Sequence, residues 1–310
     1  MATTSQSLQQ NIAGPSWWQR DSVRQRIWHA FVYVILISIA IVMILPLAWL
    51  IVSSLKPETD IFFYPPRWIP NPATLNNYIH ALKGEFFRDV LNQAQQIFEV
   101  SDYLFNTLII IIANMIFGVT ISALVAYALA RLRFRGRELI FYTVIGALFI
   151  PGVIMIIPRF VIFSRLGLIN TRWPLIVPAF FGYANQIFFM RQYFMTIPIE
   201  LEDAAYVDGC STIRFWWQIM LPLTKAALGV QLIITFMYHW NDFLDPLIYL
   251  GVKPELATLQ LAFIQMTDPR SLQFGVLFAY SALLVFPCLV VFFLFQRTLI
   301  QGIVFTGVKG

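Results

Sequence analysis

Apolar residues run through this chain in long blocks. Residues 30–55 pass without a formal charge, and similar blocks recur near 103–130, 139–163, 173–190, 226–250 and 274–297. A helix rises 1.5 Å per residue, so the first block would reach roughly 39 Å against a hydrocarbon core of about 30 Å. The pattern predicts an all-α integral membrane protein with six transmembrane helices. The fifth block is interrupted by His239, Asp242 and Asp245. Pro46, Pro151, Pro158, Pro174, Pro178, Pro246 and Pro287 lie in or at the spans, where neighbouring helices re-satisfy freed carbonyls, so kinked helices are expected.

Between the spans the pattern changes character. Residues 1–26 are polar, too long and followed by too extended an apolar run for a cleaved signal peptide, and read as a cytoplasmic tail with Trp17 and Trp18 at the interface. Residues 27–310 are expected to form one six-helix transmembrane domain. Its longest connection, 56–102, carries Pro57, Pro65, Pro66, Pro70 and Pro72, which favour extended and turn-rich chain. From Leu75 to Asp102, Phe86, Phe87, Val90, Leu91, Ile97 and Phe98 stand at helical spacing and predict a short helix on the outer face. No internal repeat relates the six spans.

Composition agrees: 59% of the 310 residues are apolar and 12% charged, against about 45–50% and about 25% in soluble domains. The two cysteines, Cys210 and Cys288, are too few for a disulfide framework. The net charge of +5 accompanies no basic run interleaved with exposed aromatics, so nucleic acid is not an expected partner, and the charge reads as membrane orientation. With both termini inside, the inner segments hold twelve Lys and Arg against nine outside, and the cluster Arg131, Arg133, Arg135 and Arg137 decides the sense.

The inner loop 191–225 has its own grammar. Thr196 is placed to cap a helix, Pro198 fits a first turn, and Glu200, Glu202 and Asp203 put negative charge at the positive end of the helix dipole. Gly209 stops that helix and Ser211 caps the next, which leads through Trp216 and Trp217 to Leu221-Pro222-Leu223. The prediction is helix, sharp turn, helix, with small residues Ala204 and Ala205 presented for close docking.

This loop resembles the EAA loop of bacterial ABC importer permeases, in which Glu-Ala-Ala followed four residues later by Gly forms the coupling helix. The family Glu is Asp203 here, one methylene shorter, with Ala204, Ala205 and Gly209 in place and Glu200, Glu202 and Asp208 around them. The wider chain is similar to the sugar-importer branch, the maltose-type second permease. Ser54-Leu55-Lys56-Pro57-Glu58, Tyr64-Pro65-Pro66-Arg67-Trp68, Asn76 and Tyr78, Asn106-Thr107-Leu108, Tyr127-Ala128-Leu129-Ala130-Arg131, Ile150-Pro151, Arg191-Gln192, Trp240-Asn241-Asp242-Phe243 and Gly307-Val308-Lys309-Gly310 follow in the family's order. The segment between Lys83 and Tyr103 is longer than usual. The resemblance implies the type I importer permease fold in the cell inner membrane. It also implies a second six-span permease as heterodimer partner, two copies of an ATPase subunit gripping the coupling helices, and an extracytoplasmic solute-binding protein.

Hydrolysis has to come from elsewhere. No Gly-x4-Gly-Lys-Ser/Thr occurs, and Gly302 to Lys309 misses it by one residue. ATP and Mg are therefore expected on the partner ATPase, and no cofactor or metal on this chain. Gly-x-Ser-Gly and His-Glu-x-x-His are also absent, and His29, His80 and His239 are scattered, so the chain does not read as an enzyme. The alternative is an ATPase-independent secondary transporter or channel, against which the missing repeat and the docking loop both argue. Tyr183, Asn185, Gln186, Tyr238, Trp240 and Asn241 are the polar and aromatic candidates for a sugar pathway, although interfacial aromatic belts explain most aromatics. Asn241 and Asp242 either line an outer vestibule or sit at the water interface.

Overall fold

The computed structural model describes residues 21–83, 99–251, 253–267 and 273–307. Among them all regular structure is helical. In chain order the helices are α1 (Asp21–Ser54), α2 (Glu58–Ile61), α3 (Asn76–Lys83), α4 (Val100–Arg131), α5 (Arg137–Leu148), α6 (Gly152–Arg165), α7 (Trp173–Ile176), α8 (Ala184–Met195), α9 (Glu200–Val207), α10 (Thr212–Leu223), α11 (Lys225–Asn241), α12 (Leu244–Leu250), α13 (Leu259–Gln265) and α14 (Phe274–Gly307). Residues 1–20 and 84–98 lie outside the described residues, and with them Trp17, Trp18, Phe86, Phe87, Val90, Leu91, Ile97 and Phe98.

Three helices, Val23–Ser54, Val100–Arg131 and Phe274–Gln296, are long and apolar enough to cross a membrane unaided. Two bent pairs raise the number to five if each is one span, against the six expected from the apolar blocks. The block 139–163 is two helices, α5 and α6, meeting at 98°. Pro151 lacks an N–H and sits in extended backbone at the bend, with ψ 130°. The block 173–190 is likewise divided. α7 passes into a 3-10 segment Val177–Phe181, Gly182 turns with φ 74°, and α8 begins at Ala184. In the block 226–250 the helix stops at Asn241, Asp242 is extended, and α12 resumes at Leu244, while α10 and α11 meet at 80°.

The most apolar 18-residue window of α1 has no buried residue, so nearly its whole surface faces outward. Such a face is costly in water and natural in hydrocarbon. α4 is the internal strut, about 48 Å long at helical rise. Its first turns carry Val100, Tyr103, Ile110 and Ile111 into a core shared with α11 to α14. Its last turns carry Ala123, Ala126, Tyr127 and Leu129 into a second core with Ile187, Met190, Phe194, Phe215 and Met220. The alanines remove bulk so that α8 approaches closely.

Buried asparagines tie the irregular segments to this strut. Asn114, in a π turn at Asn114–Gly118, donates to the carbonyls of Ile110 (2.8 Å) and Leu175 (2.9 Å) and accepts from the Tyr183 hydroxyl. Asn106 donates to the carbonyls of Glu255 and Ala257, each at 2.9 Å, and accepts from Arg172. At the end of α1, Asn77 bonds the Ser54 and Lys56 carbonyls (2.9 and 2.8 Å), and Glu58 accepts from the backbone N–H groups of Phe274 and Gly275 (2.8 and 2.7 Å). That carboxylate caps α14 and favours its dipole. Burial pushes the Lys56 ammonium below the ordinary lysine range, with Asp60 pulling the other way, and its Nζ lies 4.0 Å over the Trp49 ring.

Asn106→Leu is expected to leave two buried carbonyls without their donor and to destabilise the fold by about 2–4 kcal/mol. A lowered thermal midpoint of the purified protein checks this; an unchanged midpoint would show that the side chain holds nothing.

Candidate functional site

The end of the molecule where α4, α8, α9 and α10 meet concentrates the most connected polar groups. α9 begins after Ile199, whose carbonyl accepts from Glu202 (2.9 Å) and Asp203 (3.1 Å). Thr196 does not cap it. That residue ends α8, and its hydroxyl donates back to the Tyr193 carbonyl at 2.8 Å, leaving Pro198 outside the first turn of α9. Glu200, Glu202 and Asp203 do lie in that turn.

The stop is as the residues predict. Gly209 has φ 78°, a conformation that costs other residues a clash with Cβ. Its N–H bonds the Tyr206 carbonyl (3.0 Å) and the Cys210 N–H bonds the Ala205 carbonyl (2.9 Å), which is the paired closure of a Schellman end. Ser211 then caps α10, its hydroxyl accepting from the Arg214 N–H.

What holds α9 down is a buried ion pair. Arg131, at the end of α4, places Nε 3.9 Å from Glu202, with the two side chains 6% and 7% exposed. Nη2 of Arg131 also donates to the carbonyls of Phe194 (2.6 Å) and Ile197. Glu202 accepts from the hydroxyls of Tyr127 (2.9 Å) and Tyr206 (3.0 Å). One guanidinium and one carboxylate thus join α4, the end of α8, the connecting loop and α9. Arg191 adds a second tie, donating to the Leu129 carbonyl (3.2 Å) while lying 3.7 Å over the Phe141 ring.

The acidic and small residues of α9 therefore divide. Glu202 and Ala205 turn inward, Ala205 into the core with Phe194 and Phe215. Glu200, Asp203, Ala204, Asp208 and Gly209 face out. Ala204 and Ala205 do not share one presented face, as adjacent helical positions lie about 100° apart. The outward surface gains apolar residues instead, chiefly Val207 (88% exposed), Ile213 and Trp217. A Cβ at Gly209 would meet nothing within 4 Å, so open space surrounds the turn.

The six pathway candidates scatter more. Trp240 is core, its Nε1 donating to the Leu284 carbonyl at 3.0 Å. Gln186 is buried and donates to Thr235 Oγ1 at 2.8 Å. Asn185 is exposed, and exposed Asn241 bonds its own helix at Met237. Tyr183 and Tyr238 come within electrostatic reach of each other and of an ion pair that sequence reading overlooked: Arg159 of α6 and Asp245 of α12, at 3.2 Å. The Asp245 N–H also bonds the Asp242 carboxylate. The signal was a charge of each sign inside two apolar blocks, a costly arrangement that calls for a partner. Among the described residues no three His, Cys, Asp or Glu side chains come together as metal ligands.

Comparison with known proteins adds an independent line. The family model described as "Binding-protein-dependent transport system inner membrane component" matches residues 118–304. A probable ABC transporter permease of Bacillus subtilis (strain 168), YurM, is 31% identical over 289 residues, covering 92% of this chain and 88% of its own. The arabinooligosaccharide transport permease AraQ of Halalkalibacterium halodurans is 32% identical over 276 residues, covering 88% and 93%. The sn-glycerol-3-phosphate transport permease UgpE of Yersinia enterocolitica is 30% identical over 275 residues, covering 88% and 95%. Among solved structures, a chain from a bacterial ABC transporter involved in importing the acidic polysaccharide alginate superposes with a TM-score of 0.74. It is 20% identical and covers 88% of this chain and 97% of that one, a likeness of fold.

Glu202→Ala is expected to leave Arg131 buried without its carboxylate and to cost about 3–5 kcal/mol, whereas Glu200→Ala, at an exposed site, is expected to stay within about 0.5 kcal/mol. Thermal unfolding of both purified variants checks the contrast; equal shifts would contradict the anchor.

Proposed function

The chain belongs to the binding-protein-dependent transport system inner membrane components, and on that premise we propose how it works. It is the permease subunit of an ATP-driven ABC importer and forms half of a translocation pathway for a carbohydrate. The single observation that carries the coupling role is α9, held rigidly on its inner side through Glu202 and Arg131 and free on its outer side at Asp203, Ala204, Val207 and Asp208. A helix fixed to the permease and open to solvent is built to be gripped by something else.

In the proposed cycle a separate ATPase, which holds ATP and Mg, takes the outer face of α9. Two ATPase copies engage this chain and a second, different permease. When they close, α9 is pushed, and the ion pair passes the displacement into α4, whose far end packs with α11 to α14. This is rigid-body alternating access, in which two packed arrangements are favoured by different contacts. An extracytoplasmic binding protein delivers solute to the opposite end.

Six crossings fit this role, with the segment Trp173–Met195 as the sixth alongside three straight and two bent spans, and both termini cytoplasmic. Non-helical backbone at membrane depth is tolerated where protein or a water-filled cavity covers it, which suits the turn at Gly182 and the break at Asp242. Tyr183 and Tyr238, beside the Arg159–Asp245 pair, are the residues proposed to line the sugar pathway. Relatives named for arabinooligosaccharides and sn-glycerol-3-phosphate support a polyhydroxylated solute.

Two results are expected. Ala204→Asp and Val207→Asp, both on the exposed face, should leave membrane insertion unchanged while lowering ATP-dependent uptake and ATPase co-purification at least about tenfold, the scale of a mismatched charge at a close-packed interface. Normal uptake in both would sink the coupling assignment. Separately, a reporter within Arg131–Arg137 or after Gly310 should read cytoplasmic and one near Asn92 external; the reverse pattern would overturn the topology.

A further inference from the structure

The loop between α4 and α5 holds two arginines that no hydrogen bond or ion pair among the described residues uses. Leu132 leaves α4 in extended backbone (φ −75°, ψ 143°), and Gly136, with φ 89°, turns the chain into α5. Arg131 is committed to the anchor described above. Arg137 is committed to Glu138, through Nε at 3.0 Å and Nη2 at 2.7 Å. Arg133 and Arg135 are exposed, and neither guanidinium has an acceptor among the described residues. Beside Arg133 lies an open cavity of about 450 Å³ lined by Arg133, Phe134, Gly136, Arg137, Glu138 and Leu139; Arg135 is exposed in the same loop, outside that lining.

The surface that continues from this cavity is apolar. Phe134 is exposed, and α5 presents Leu139 (73% exposed), Ile140 and Tyr142 outward. Leu139 belongs both to the cavity wall and to that face. Guanidinium groups therefore stand where an outward apolar helix begins, which is the level of lipid headgroups if that helix enters hydrocarbon. A guanidinium is planar, always charged, and matches phosphate oxygens with two parallel hydrogen bonds. Basic side chains just beside a membrane helix are drawn to anionic lipid.

We propose that this loop is a binding site for the phosphate headgroup of an anionic phospholipid, with Arg133 and Arg135 as its cationic ligands and Phe134 as an apolar wedge among the acyl chains. The proposal rests on the membrane placement of α4 and α5 given above and is independent of the ATPase and the sugar. It extends the role of these arginines beyond orientation: a retained lipid would hold fast the loop that follows Arg131.

The test uses the purified full-length protein in mild detergent. It is titrated with phosphatidylglycerol or phosphatidylcholine of the same acyl chains, and bound lipid is counted by native mass spectrometry. Wild type should retain phosphatidylglycerol over phosphatidylcholine roughly tenfold, and Arg133→Gln/Arg135→Gln should lose that preference. The thermal midpoint of the double variant should stay unchanged, because neither side chain has a hydrogen-bond or ion-pair partner within the described protein. No preference in wild type, or an undiminished one in the double variant, would overturn the proposal. So would displacement of phosphatidylglycerol by millimolar inorganic phosphate alone, which would mark a free-anion site. A double variant that keeps its lipid but no longer co-purifies an ATPase would reassign the loop as a protein-docking surface.

Discussion

The guanidinium of Arg131 and the carboxylate of Glu202 meet in a pocket that water barely reaches, and the cytoplasmic architecture we propose depends on that meeting. Neither charge is tolerable there alone, since an unpaired ion at such a site costs several kcal/mol. Each is also supplied with hydrogen bonds: the carboxylate by Tyr127 and Tyr206, the guanidinium by the carbonyls of Phe194 and Ile197. The Phe194 carbonyl is a loose end of α8 and the Ile197 carbonyl belongs to the connecting loop, so the same cation satisfies a helix terminus and a loop. A buried pair is not a large source of stability. What it supplies is position, because only one arrangement of four elements satisfies all its members.

Position is what the coupling role proposed for α9 requires. α9 has eight residues, too few to be stable alone in water. It is defined by the Schellman closure at Gly209, by Ala205 in the core and by Glu202 on Arg131. Its remaining face carries carboxylates and exposed apolar side chains. The strut it is fixed to runs the length of the core, and α4 also anchors the broken segment at Tyr183 through Asn114 and the loop at Glu255 and Ala257 through Asn106. The irregular segments are thus attached to one continuous helix, while the Arg159–Asp245 pair sits among them.

Much of this was legible in the residues, and the parts that were not have physical reasons. Long charge-free runs identify α1, α4 and α14 because hydropathy alone decides insertion. Gly209 and Ser211 are local signals whose meaning does not depend on the rest of the chain. Breaks at Pro151, Gly182 and Asp242 were harder, since a proline or an aspartate inside an apolar run is compatible with a kink or with a full interruption, and tertiary packing chooses. Thr196 had the chemistry of an N-cap, yet its hydroxyl found a nearer acceptor behind it. Glu202 was visible as an acidic first-turn residue and Arg131 as a topology charge. Their pairing was hidden because periodicity says which residues share a face, not which face is buried.

The central claim is that α9 and α4 move as one body. It is tested most directly by placing spin labels at the exposed positions Glu200, at the start of α9, and Ile112 in the assembled transporter and measuring their distance distribution with and without ATP. The account predicts one narrow distribution that ATP leaves in place, even as α9 moves relative to the second permease. A distance that shifts or broadens on ATP binding would show α9 swinging on its own, and the ion pair at Arg131 would then be a hinge rather than a strut.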